Sequence, residues 1–241
     1  MSATAPHRAF AAVWFDCDST LSAIEGIDEL GALRDAATRR RVAELTERAM
    51  AGELPLAEVY EQRLRALAPT AAECASLGAL YVARALPDAR VLVAALHALG
   101  KTVGVLSGGL RPPVAEFAAW LGIGPSLVQA VGIHFAADGS YRDFDRSGPL
   151  WRNGGKVEVL RDRPAGEHPL AFVGDGITDL EAAPVVERFV GFGGVARRAA
   201  VERNAAFYTA EPRLAAVLPH LLTAAEREQL AADPRFAHLV G

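Results

Sequence analysis

One stretch restricts the fold more than any other: the apolar run Ala11-Ala12-Val13-Trp14 leads straight into Phe15-Asp16-Cys17-Asp18-Ser19-Thr20. A short apolar run bounded by polar residues reads as a buried strand of a parallel sheet, so both acids fall where that strand runs out. Ligands bind at that edge of an open α/β sheet. Two-residue alternation puts Asp16 and Asp18 on one side, with Cys17 turned away. Two carboxylates aimed into one small space repel each other unless a cation or a shared proton compensates. On its own, D-x-D also describes a surface turn capped by Asp, Ser and Thr, so other parts of the chain must decide.

From Ser22 to about Leu86 the pattern is helical, with apolar residues at helical spacing in Arg40–Met50 and Leu56–Leu67. Thr70 with Glu73 makes a capping box for the next helix. A helical segment of this length directly after the first strand reads as a small cap over the strand ends, able to cover or open a site. Strand and helix then alternate. Val91–Leu99 is a helix stopped by Gly100, Thr102–Leu106 a strand ending in Ser107-Gly108-Gly109, and Pro112–Leu121 a helix stopped by Gly122. Val128–Phe135 and Tyr141–Phe144 flank the hairpin signal Asp138-Gly139. Gly154-Gly155-Lys156 opens a helix, and Leu170–Val173 is a strand ending in Gly174-Asp175-Gly176-Ile177-Thr178-Asp179, where Thr178 and Glu181 fit a second capping box. Phe189–Phe192 is the last strand, ahead of Gly193-Gly194 and a basic helix around Arg197 and Arg198. The alternation predicts an α/β fold, a doubly wound parallel sheet. Residues 9–21 and 86–220 form its core, 22–85 the helical cap, and 221–241 a peripheral helical tail.

Composition narrows the function classes. A formal net charge of -4 recommends neither nucleic acid nor an anionic membrane as partner. No apolar run reaches bilayer length, and residues 1–8 lack the apolar middle of a signal peptide, so the expectation is a cytoplasmic protein. Cys17 and Cys74 have no metal-binding spacing and read as packed thiols. The histidines (His7, His97, His134, His168, His220 and His238) show none either and lie outside the motifs.

Three strands thus finish in Asp16/Asp18, Ser107-Gly108 and Asp175, while Lys156 opens a helix. A carboxylate nucleophile, a metal-binding carboxylate, a hydroxyl with free amides and one ammonium are what an attack on a phosphoryl group requires. A dianionic phosphate repels an anionic nucleophile, so a divalent cation must bridge them, and carboxylate oxygens select Mg2+. Ser107, the Gly108 amide and Lys156 would position the phosphate and neutralise its charge.

These four stretches, with Gly155-Lys156 as the third, resemble the motifs of the haloacid dehalogenase superfamily. Glu25-Gly26-Ile27-Asp28-Glu29-Leu30, Arg48-Ala49-Met50 and Gly191-Phe192-Gly193-Gly194 are similar, in order, to stretches of its phosphoserine phosphatases. The resemblance spans roughly residues 10–220. It implies Mg2+-dependent hydrolysis of O-phospho-L-serine to L-serine and phosphate. Asp16 is then the nucleophile that forms an aspartyl phosphate, and Asp18 the general acid and later base. It also implies Mg2+ on Asp16, Asp175 and the Asp18 carbonyl, with Asp179 supporting these ligands, phosphate on Ser107 and Lys156, and further substrate contacts from Gly108 and Thr178. Glu25 would meet the substrate ammonium, Arg63 its carboxylate and Met50 its apolar stem. Ile24 stands where many members carry a second acid, and the basic position after Gly193-Gly194 falls on Arg198 or, one residue earlier, on Arg197. The residues alone leave three rivals open: a phosphatase for another small phosphorylated metabolite, a phosphotransferase with an acceptor alcohol in place of water, and a non-enzymatic binder of phosphorylated ligands.

Overall fold

The apolar run ahead of Asp16 is a central strand, β1 (Ala12–Phe15), with all four residues fully buried. A computed structural model describes residue 6 and residues 8–50 and 54–241, without the side chains of residues 46, 47, 49, 50 and 56. After β1 come α1 (Gly26–Ala32), α2 (Ala36–Met50), α3 (Leu56–Leu67) and α4 (Ala71–Ala83). The alternating part follows as α5 (Ala89–Ala98), β2 (Thr102–Leu110), α6 (Arg111–Leu121), β3 (Val128–Val131), β4 (Ile133–Phe135), β5 (Tyr141–Phe144), α7 (Gly155–Arg161), β6 (Leu170–Gly174), α8 (Ile177–Leu180), β7 (Arg188–Phe192), α9 (Ala199–Asn204) and β8 (Phe207–Thr209). The chain closes with α10 (Leu218–Leu221), α11 (Ala224–Ala232) and α12 (Ala237–Val240).

Among the described residues the main sheet has six parallel strands in the order β3-β2-β1-β6-β7-β8. The strand order reverses between β1 and β6, which is where a doubly wound sheet opens a crevice at its carboxyl edge. Trp14 of β1 lies beside Gly104 of β2, where an added Cβ would come within 2.6 Å of the indole. The indole nitrogen donates to Glu167 Oε2 at 2.8 Å, so this large buried side chain leaves no polar atom unmatched.

The first helices join the sheet around Ser22. Ser22 bridges both Asp18 and Ala85, its Oγ donating toward the carbonyls of Tyr81 and Arg84, and the Leu86 amide donates to Leu21. α4 then lies on α6, with Tyr81 stacked on Phe117 at 5.7 Å between ring centroids. The Thr70–Glu73 capping box is formed in both directions, and Arg34 grips both Glu73 oxygens at 2.6 and 2.8 Å. Those bonds, Arg34's first, hold the Glu73 carboxyl down at about 2. A depressed carboxyl stabilises the fold fully above its ordinary value of 4.5 and loses that contribution as pH falls through about 2. Glu73→Ala should therefore cost about 1 kcal/mol at neutral pH. In denaturant titrations that difference should fade between pH 4.5 and 2.

Several expectations need correction. The strand expected to stop at Leu106 runs through Ser107-Gly108-Gly109 to Leu110, and its pairing with β3 shifts register between Leu106 and Leu110. There Ser107 Oγ takes the Gly109 amide at 2.9 Å and stands in for a ladder partner. The stretch expected as one strand over Val128–Phe135 divides at Gly132 into β3 of the main sheet and β4 of a separate hairpin with β5. β8 is three residues long, too short to show a period. The tail is not peripheral: Leu221, Leu222, Leu230, Phe236 and Leu239 are buried, and Glu226 pairs with the buried Lys101, which also donates to the Phe10 carbonyl at 2.8 Å. Helical spacing located these residues but not the surface that they cover. Among the described residues no single helix is long and apolar enough to cross a membrane.

Candidate active site

Past Phe15 the chain turns sharply. The amides of Thr20, Leu21 and Ser22 all donate to the Cys17 carbonyl, at 3.4, 3.0 and 3.1 Å, and Ser19 takes a left-handed φ of 51°. A non-glycine residue adopts that conformation only where its surroundings enforce it. Here it lets Asp16 and Asp18 face one cavity of about 190 Å³ while Cys17 is buried behind them. Burial raises the Cys17 thiol well above its ordinary range, and both cysteines are buried and unbridged.

Lys156 reaches the same cavity from the start of α7. Its neighbour Gly155 lies so close to the Pro149 carbonyl that a Cβ would sit 2.1 Å from the oxygen, so this approach requires glycine. The ammonium donates to Asp16 Oδ1 at 2.7 Å and Asp179 Oδ1 at 2.5 Å, with all three side chains under a tenth exposed. Asp175 stands just past β6 and receives Arg198 Nε at 2.7 Å, with Thr20 Oγ1 3.4 Å away. Asp179 also accepts the Gly176 amide at 2.8 Å, so α8 is capped from Asp179 to Gly176 and not from Thr178 to Glu181 as the spacing suggested. The Glu181 carboxylate instead takes the Gly154 amide, at 3.0 Å.

Asp16, Asp175 and Asp179 each offer an oxygen within 4.8 Å of the others. Such an all-carboxylate donor set suits a hard divalent cation. The electrostatics agree: Asp16, Asp18, Asp175 and Asp179 line a cavity in which Lys156 and Arg198 are the cations bonded to them. Asp16 is pushed well above the ordinary carboxylate range, first by burial and then by Asp179, against the pull of Lys156. Asp175 rises to about 6, again chiefly through burial and Asp179. A divalent cation would reverse both shifts. Asp179, expected to support the ligands, stands with Asp16 and Asp175 in this trio.

The Asp18 carboxylate lines the same cavity but is held by other partners. Its Oδ1 receives the Gly26 amide at 2.6 Å and the Tyr81 hydroxyl at 2.7 Å, and Ser107 Oγ donates to Oδ2 at 3.3 Å. Burial raises its pKa while the bonds from Gly26 and Tyr81 hold it back. Ser107 is buried and does not line the cavity, although Gly108 and Thr178 do. Glu25 accepts from Ser19 Oγ at 2.7 Å and Arg198 Nη2 at 2.9 Å, and burial followed by the charge of Asp18 lifts it to about 7. Arg198 thus occupies the basic position after Gly193-Gly194, while Arg197 points away to Glu202. Arg63 also lines the cavity, giving Nη2 to Asp28 at 2.6 Å. Met50 closes α2, and its side chain lies outside the described residues. Tyr60, Tyr81 and Arg152 gave no signal in the sequence, since each carries nothing but a place in a helical or loop pattern.

The comparisons with known proteins agree with this arrangement. The family model of the haloacid dehalogenase-like hydrolases matches residues 13–184. The phosphoserine phosphatase of Mus musculus is 38% identical over 199 residues, which cover 82% of this chain and 88% of that protein. The phosphoserine phosphatase of Halobacterium salinarum is 39% identical over 174 residues, covering 70% of this chain and 79% of the relative. A solved phospho-aspartyl intermediate analogue of a phosphoserine phosphatase superposes with a TM-score of 0.75 at 22% identity, over 89% of this chain and all of the other, and bears on the fold alone. The acids at the tip of β1, the lysine at the start of α7 and the carboxylate trio beside them are therefore set in a chain that belongs to the haloacid dehalogenase-like hydrolases, on their phosphoserine phosphatase branch.

Proposed function

We propose that the protein is a Mg2+-dependent phosphatase that converts O-phospho-L-serine to L-serine and phosphate. The observation that carries this reading is one cavity lined by Asp16, Asp18, Glu25 and Arg63 together. That set offers a phosphoryl acceptor, an acid, and counter-charges for the ammonium and carboxylate of an amino acid.

Asp16 attacks through Oδ2, because Lys156 holds Oδ1 at 2.7 Å and fixes the carboxylate plane. The phosphorus–oxygen bond to the seryl oxygen breaks as the aspartyl phosphate forms, and Asp18 gives that oxygen its proton. A carboxyl raised by burial yet still held by Gly26 and Tyr81 suits both halves of the cycle. As a carboxylate, Asp18 next takes a proton from the water that releases phosphate from Asp16. Mg2+ held by Asp16, Asp175 and Asp179 would neutralise charge between the phosphate and its attacker. Lys156 and the Gly108 amide stabilise the phosphoryl oxygens. Glu25 has to exchange Arg198 for the substrate ammonium, or share it, as the ligand enters. A guanidinium such as Arg63 suits a carboxylate better than an ammonium would.

Phosphate release measured with and without Mg2+ tests the reading. Phosphoserine should exceed phosphothreonine, phosphohomoserine and histidinol phosphate in kcat/KM by about tenfold or more, the scale at which one well-placed contact discriminates. A faster rival in that panel would replace the substrate. Phosphorylated homoserine formed in place of free phosphate, when homoserine is added, would replace hydrolysis with phosphotransfer.

A further inference from the structure

Two buried polar atoms on residues that line this cavity have no hydrogen-bond partner. Tyr60 and Arg63 lie three residues apart on α3, hence on one face of it, and both line the cavity. The Tyr60 hydroxyl and the Arg63 Nε are buried without a hydrogen-bond partner. Tyr60 is only 4% exposed, and its ring is fixed edge-on against Phe144 of β5, with centroids 5.3 Å apart. A phenylalanine would make the same ring contact without stranding a hydroxyl, and a stranded buried hydroxyl destabilises the protein that carries it.

We propose that the Tyr60 hydroxyl is a substrate-binding and specificity-determining group, which donates to the substrate carboxylate alongside Arg63. The inference rests on the phosphoserine reading and adds a residue to it. Three arguments favour the carboxylate over the other ends of the substrate. Arg63 keeps an unused Nε–H on the same face of α3 and at the same cavity, and it draws the phenol pKa down while burial, first, and the charge of Asp18 raise it. Burial dominates, the hydroxyl stays protonated, and it presents a proton to an acceptor. The phosphate end belongs to Lys156 and Gly108, and the ammonium end to Glu25, which leaves an anionic oxygen as the acceptor beside α3.

The test compares wild type with Tyr60→Phe on phosphoserine and on phosphoethanolamine, which lacks the carboxylate, with enzyme raised until phosphate release is measurable for both. The variant should lose about tenfold in kcat/KM for phosphoserine, about 1.4 kcal/mol, mainly through KM. The ratio of phosphoserine to phosphoethanolamine kcat/KM should fall by the same factor. Its melting temperature without ligand should equal or exceed that of wild type, because an unmatched hydroxyl is gone. A ratio within twofold of wild type, or an equal loss on both substrates, overturns the proposal. The wild-type ratio tests the substrate reading separately: no preference for phosphoserine would overturn that reading, whatever the variant does.

Discussion

Asp16→Asn is expected to lower phosphoserine turnover by roughly a thousandfold or more, because an amide cannot accept and release a phosphoryl group on the path that a carboxylate offers. The fold should survive. Lys156 keeps Asp179 at 2.5 Å, and the substitution removes one of the buried carboxylates that raise one another's pKa. Melting temperature should stay within a few degrees of wild type, so that lost activity is not lost structure. Acid-quenched wild type incubated with radiolabelled phosphoserine should retain label on the protein, and Asp16→Asn should retain none. Label persisting in the variant would move the nucleophile elsewhere, with Asp18 first in line.

The second large effect is structural as well as catalytic. Lys156 is held between Asp16 and Asp179 in an ion triad under a tenth exposed. Lys156→Met keeps much of the side-chain volume but leaves both carboxylates facing each other without their cation. Breaking a buried pair in this way costs about 3 kcal/mol. For a chain of this size that corresponds to a melting temperature lower by roughly 6–12 °C. Activity should fall roughly a hundred- to a thousandfold, the range for losing one pre-placed cation or donor at a developing charge. Part of the lost stability should return at low pH, where the raised Asp16 carboxyl protonates in the folded state and the repulsion disappears. Lysine also differs here from arginine: the compact ammonium serves two carboxylate oxygens at once, and a planar guanidinium in the same pocket would have to displace one of them. A variant as stable and active as wild type would show that the triad is incidental to both.

The chemical inventory was legible early because it is local. Asp16 and Asp18 are fixed to one side of one strand end by two-residue alternation, and the Thr70–Glu73 cap is a contact within four residues. The strand end carrying Asp175 follows from a short apolar run that stops at glycine, whereas Ser107 lies inside β2. Less legible were the contacts between distant residues. In the structure the Asp18 carboxylate bonds Tyr81 and Gly26, and Asp179 stands with Asp16 and Asp175. Neither orientation is encoded in the spacing of D-x-D or G-D-G-x-x-D. Each depends on which helix packs against the sheet edge.

From its sequence alone this protein is an alternating α/β chain with acids at two strand tips, a lysine opening a helix between them and a helical insertion after the first strand, because periodicity and capping act over a few residues. Tertiary structure alone decided that Arg198 and not Arg197 reaches Asp175, across 23 residues, and Glu25, across 173. It also decided that Tyr60 and Arg63 of α3 line the cavity of the acids, and that the last helices are buried against the core. The physical reason is that a side chain's partner is chosen by what the folded chain brings within about 3 Å of it, and a pattern read along the backbone carries no measure of that distance.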